Sequence, residues 1–145
     1  MWIQLTADAL LSRITGPEQA KLNTAALKSG QTAVLDEIAG QVAKEWRGGL
    51  RKYAQLDARD GYVPDELLIH MLADFRYRAY TRLPGMAELL DDLRVKEWER
   101  ANQVRDSLSK ISIQAPEAEY AETAANSGKP GPAIADPETD SILGW

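Results

Sequence analysis

Val63-Pro64-Asp65-Glu66-Leu67-Leu68-Ile69-His70-Met71-Leu72-Ala73-Asp74-Phe75-Arg76-Tyr77-Arg78-Ala79-Tyr80-Thr81-Arg82-Leu83-Pro84-Gly85 carries its own start and stop signals. Proline suits a first helical position because its missing N–H would have no intrahelical partner there, and Asp65 and Glu66 complement the positive end of the helix dipole. Leu67, Leu68, Met71, Leu72, Phe75, Ala79, Tyr80 and Leu83 then recur every three or four residues, which places them on one face of a helix. Pro84-Gly85 ends it. So apolar a stripe has to be covered by other helices, which makes this the central element.

Upstream, Leu35, Ile38, Val42, Trp46, Leu50 and Tyr53 repeat the same spacing from Thr32 onward and predict a long amphipathic helix. Gly48 and Gly49 fall inside it and mark either a bend or a point where another backbone comes close, the second reading being preferred. Downstream, a helix is expected from Met86 to Lys110, with Leu89, Leu90, Leu93, Ala101, Val104, Leu108 and Ile111 inward and Trp98 at the border of the stripe. Two short helices precede these. Thr6 can cap one over Ala7 to Leu11, and Pro17 can open another that runs to Lys28 and ends at Ser29-Gly30. Ile111-Ser112-Ile113 alternates as a short strand would. The expected fold is all-α: a compact bundle of five helices, two short and three long, with an extended carboxyl-terminal tail.

At 145 residues the chain fits a single domain. Residues 1–115 read as that helical domain and residues 116–145 as a flexible acidic tail. The net charge of −5 sits entirely in the tail, where Glu117, Glu119, Glu122, Asp136, Glu138 and Asp140 face Lys129 alone. A neutral body argues against general affinity for phosphate backbones, which needs clustered excess Lys and Arg. Four prolines and scattered small residues leave the tail too little apolar area to offset backbone ordering. Its last residues differ: Ile142, Leu143 and Trp145 form an apolar group suited to anchoring on a partner.

Reactive chemistry finds little purchase. The sequence has no cysteine and one histidine, His70, which removes thiol catalysis, disulfides and the usual zinc sets, and leaves no second imidazole for a base or metal pair. Asp91-Asp92 cannot converge on a metal, because adjacent helical residues point about 100° apart. Gly48-Gly49 lacks the strand and lysine of a phosphate loop, and Ser12, Ser107 and Ser109 lack a nucleophile-elbow context. No catalytic residue, cofactor or metal ligand is expected. No basic segment followed by an apolar stretch opens the chain, and no apolar run approaches the ~20 residues of a membrane span, so the expected setting is intracellular and off the membrane.

Arg76, Arg78 and Arg82 lie among Phe75, Tyr77 and Tyr80. The mixture could hold nucleic acid through phosphate contacts and stacking. Asp74 and Arg78, four apart, favour instead ion pairing on an exposed or inter-subunit face.

Three stretches together carry a family resemblance: Met1-Trp2-Ile3-Gln4-Leu5-Thr6-Ala7-Asp8-Ala9-Leu10-Leu11-Ser12-Arg13 with Gly16-Pro17-Glu18, then Glu45-Trp46-Arg47-Gly48, then Phe75-Arg76-Tyr77-Arg78-Ala79-Tyr80-Thr81-Arg82-Leu83-Pro84. Over about residues 1–113 the chain resembles the Mu-like family of tailed-phage proteins of the head-to-tail joining region. That resemblance implies a structural virion protein: an adaptor subunit in a ring, commonly of twelve copies, between the portal protein and a downstream tail or stopper protein. DNA would be only the contents of the channel, and the protein would pass from host cytoplasm during assembly into the virion. In related connectors the carboxyl-terminal arm docks on the portal, which by analogy gives Ile142, Leu143 and Trp145 the partner-binding role and Arg76, Arg78 and Arg82 the inter-subunit one. The alternative is a small regulatory nucleic-acid-binding helical protein.

Overall fold

The computed structural model describes residues 1–28 and 33–122. Their order is β1 (Trp2–Gln4), α1 (Ala7–Leu11), α2 (Gly16–Lys28), α3 (Val34–Leu50), β2 (Tyr62–Pro64), α4 (Leu68–Arg82) and α5 (Asp92–Asp106), with 3-10 turns at Asp65–Leu67, Ala87–Leu89 and Leu108–Lys110. The fold is an all-α body with a minor two-stranded sheet.

The core is continuous through α1 to α4. Leu10, Leu22, Ile38, Val42, Trp46, Leu50, Met71, Phe75 and Tyr80 are fully enclosed, and each comes from the apolar stripe of its helix. Thr6 caps α1 as the sequence suggests, its hydroxyl accepting from the Ala9 N–H at 3.1 Å. In α3, Gly49 faces α5: a Cβ there would lie 3.2 Å from Leu108 Cδ1, whereas one at Gly48 would meet open space. The close approach is therefore made by a side chain, at one of the two glycines, and α3 runs through both without interruption. Tyr53 falls beyond α3 and is 57% exposed, outside the stripe.

Three local expectations are corrected. Val63-Pro64 does not begin a helix; it belongs to β2, which pairs antiparallel with β1, Trp2 opposite Pro64 and Ile3 opposite Val63. Proline's fixed φ serves either role, and at ψ 133° Pro64 is extended, so that the helix proper waits for one 3-10 turn and Leu68. The pairing buries Trp2 and Val63, which a helix start would leave outside.

The long helix expected from Met86 to Lys110 is divided. Asp91 takes an extended conformation and accepts from the Arg94 N–H at 2.9 Å, so this carboxylate opens α5 as an N-cap after a separate turn. Within α5 only Ala101 is fully buried and Leu93 is 61% exposed. Trp98 lies flat on Tyr77 of α4, centroids 3.8 Å apart. Ile111-Ser112-Ile113 enters no ladder; Ile111 and Ile113 rest against the core as partly buried side chains.

The chain beyond residue 115 also contacts the body. Pro116 is buried, the Ala58 N–H donates to Tyr120 O at 2.6 Å, the Glu122 N–H donates to Leu56 O at 2.8 Å, and Asp57 bridges Ala121. Residues 116–122 thus form an arm laid on the body. No helix among the described residues is long and apolar enough to cross a membrane.

Candidate functional site

The arginines of α4 do not form one patch. Arg78 and Arg82 face α3, where Arg78 forks onto Glu45 through two bonds of 2.9 Å and Arg82 reaches Glu37 at 3.1 Å. Arg76 turns toward α2, with Nε 3.3 Å from Glu18 Oε2; Arg94 of α5 approaches the same carboxylate at 3.4 Å. All three arginines singled out in the sequence therefore have acidic partners within the chain.

At the centre of this network is Asp74, 1% exposed. It accepts from Trp46 Nε1 at 3.1 Å and from Arg78 Nε at 2.9 Å, and Arg105 Nη1 stands 3.7 Å away. A buried carboxylate is costly unless its lone pairs are satisfied; here an indole and a guanidinium satisfy them and join α3 to α4. The hydrogen bonds from Arg78 hold the Glu45 carboxyl below its usual range, and those from Glu45 and Asp74 hold the Arg78 guanidinium more firmly protonated. Burial lowers the Arg76 guanidinium, with Glu18 opposing. Arg82 with Glu37 is different: both side chains are substantially exposed, at 42% and 58%, so this pair adds little stability and is readily exchanged for another acid.

The second cluster was not anticipated from the sequence. Glu122, 8% exposed, places Oε1 2.8 Å from Arg51 Nη1 and Oε2 3.6 Å from Arg47 Nη2. Arg47 also donates to Tyr62 O at 2.7 Å, and Gln55 Nε2 donates to Glu122 O at 3.1 Å. Nearby, Arg59 is held by Asp57 and stacks between Tyr62 and Tyr120, its guanidinium carbon 3.9 and 3.6 Å from the ring centres. A cation over an aromatic face is attracted by the ring quadrupole, so Arg59 clips the arm to the β2 loop. The signals were faint: Arg47 and Arg51 one turn apart, and Tyr120 as the one aromatic between Trp98 and Trp145.

Beside the arm, Leu50, Tyr53, Ala54, Gln55, Leu108, Ile111, Ile113 and Ala115 line an open groove of about 250 Å³ whose exposed wall is mixed polar and apolar. His70, on α4, is half-buried; burial and then the charge of Arg100 lower its pKa. Among the described residues no three His, Cys, Asp or Glu side chains are grouped to hold a metal ion. Ile142, Leu143 and Trp145 lie outside the described residues.

Family models, curated proteins and solved structures were compared with the chain, and none matches it.

Proposed function

We propose that the chain is a non-enzymatic structural adaptor, a subunit of the ring that joins the portal of a tailed phage to the tail, with DNA as the contents of its channel. The observation that carries this reading is the fixed root of the carboxyl-terminal segment: Glu122 is buried against Arg47 and Arg51. An anchor is most useful on a tether that leaves a rigid body at a defined point, because effective concentration depends on the span between the linked sites. Ile142, Leu143 and Trp145 are the anchor in this reading, docking on the portal protein. The exposed Arg82–Glu37 pair is the part of the α4 arginine stripe best suited to exchange with a neighbouring copy. Copies would assemble into the ring, commonly of twelve, and a downstream tail or stopper protein would seat on its other side.

The intrachain pairing of Arg76 and Arg78 counts against the nucleic-acid-binding alternative, since guanidinium groups already held by carboxylates of their own chain are poor phosphate ligands. Capture of the portal protein by immobilised full-length chain tests the proposal. Removing residues 141–145 is expected to leave a folded body that captures markedly less portal; undiminished capture refutes the anchor.

A further inference from the structure

The groove between the end of α3 and the segment following α5 is open, built mostly from apolar side chains with Gln55 and backbone polar atoms among them, and bordered by the exposed Tyr53 ring. Its position relative to the arm is informative. Glu122 pairs with Leu56 and Tyr120 with Ala58, so the arm runs antiparallel to residues 56–58. At Glu122, the last described residue, this direction points toward Gln55, Ala54 and Tyr53, which are groove residues. Gln55 touches both places, lining the groove and donating to Glu122 O. Glu122 thus stands at the mouth of the groove.

Residues 123–145 contain four large apolar side chains, Ile134, Ile142, Leu143 and Trp145, and three of them fall within four positions. Asp136, Glu138 and Asp140 precede that group, while exposed Lys52 and Lys110 each adjoin a groove residue in sequence. The charges are complementary in sign. About 20 residues separate the arm from Ile142, a length whose coil dimension is on the order of 25 Å, enough to turn and come back to a site beside its own origin. The groove is too small to seat a second folded copy, which needs about 800 Å² from each partner; a short apolar peptide fits it.

We propose that Ile142, Leu143 and Trp145 occupy this groove of their own chain before any partner is engaged. A three-side-chain contact would be negligible between separate molecules at micromolar concentration, but an intramolecular tether supplies an effective concentration in the millimolar range. The docked segment covers Tyr53, Ile111 and Ile113 and withholds the anchor from mispairing until a partner with greater affinity displaces it. That consequence for assembly rests on the adaptor reading; the docking itself does not.

Acrylamide quenching of Trp145 in the full chain, obtained as the difference between the unaltered protein and Trp145→Phe, tests the docking. Relative to a peptide of residues 136–145, quenching of Trp145 is expected to fall about threefold, the value for a segment docked two-thirds of the time. Tyr53→Glu on the groove side and Leu143→Ser on the segment side should each return Trp145 to peptide-like quenching with an unchanged circular dichroism spectrum. Peptide-like quenching in the unaltered chain overturns the proposal, as does protection that survives both variants. Protection that rises with protein concentration alongside a dimer in sedimentation also overturns it, placing the segment on another copy. Portal capture is read separately: a chain that shows protection but captures no portal sinks the adaptor reading alone, and one that captures portal without protection sinks only this docking.

Discussion

Glu122 Oε1 stands 2.8 Å from Nη1 of Arg51, the residue that caps the end of α3, 71 positions earlier in the chain. This contact closes the described body into a loop, joining the third helix to the last residues of the arm. Removing the carboxylate would leave Arg47, 10% exposed at its side chain, without its acid. Truncating one partner of a buried pair costs more than the pair is worth, because the remaining charge stays desolvated. Glu122→Ala is expected to lower stability by roughly 2 kcal/mol, less than the full buried-pair figure because Arg51 is partly solvated. Urea denaturation measures it, and limited proteolysis should show new cleavage in residues 114–122.

Asp74 ties the helices more tightly. Asp74→Ala strips the Trp46 indole and the Arg78 guanidinium of a shared acceptor in the core, and a loss of about 3 kcal/mol is expected. Trp46→Phe removes the indole donor and also part of a fully buried ring, so its loss combines one hydrogen bond with a cavity. A loss below about 1 kcal/mol for Asp74→Ala would mean that the shared acceptor contributes little.

Tyr80 presents the opposite case. Its ring is fully buried, and its hydroxyl finds no hydrogen-bond partner among the described residues. An unpaired buried hydroxyl is a desolvation cost with no return, so Tyr80→Phe is expected to leave stability unchanged or raise it by about 1 kcal/mol. A loss of that size instead would place an acceptor against the hydroxyl.

The acid limb of the stability curve follows from two carboxylates held below their ordinary values. The hydrogen bond from Arg59 lowers Asp57, and that from Arg78 lowers Glu45, against ordinary values of 3.8 and 4.5. For a depressed carboxylate the native state binds fewer protons than the unfolded one, so the contribution is complete above the ordinary value and vanishes as pH falls through the lower, folded value. Stability should hold above pH 4.5 and decline steeply below 3.8. Asp57→Asn should flatten that decline, as measured by denaturation midpoints across the acid range.

The helices were legible because their stripes have the helical period: the core faces of α3 and α4 read directly from Leu35 to Leu50 and from Leu67 to Leu83. What escaped the sequence was set by tertiary pairing. Pro64 has a backbone compatible with a helix start or a strand, and only the opposing Trp2 decides between them. Asp91 could be a helical surface acid or a cap, and the chain's path from Met86 made it a cap. The arm looked like tail because its composition is acidic and poor in large apolar groups; its attachment comes from Glu122, Tyr120 and two backbone bonds whose partners lie more than 60 residues away. Arg76, Arg78 and Arg82 were legible as ion-pairing residues and Asp74 as a partner of Arg78, while Glu18, Glu45 and Glu37 were not.

Electron microscopy of the purified full-length chain, alone and mixed with portal protein, tests the adaptor reading most directly. The expected result is a ring of additional helical density on one face of the portal, with one adaptor copy per portal subunit and density for the carboxyl-terminal segment on the portal surface. Portal particles indistinguishable with and without the chain, at concentrations well above those of assembly, would contradict it.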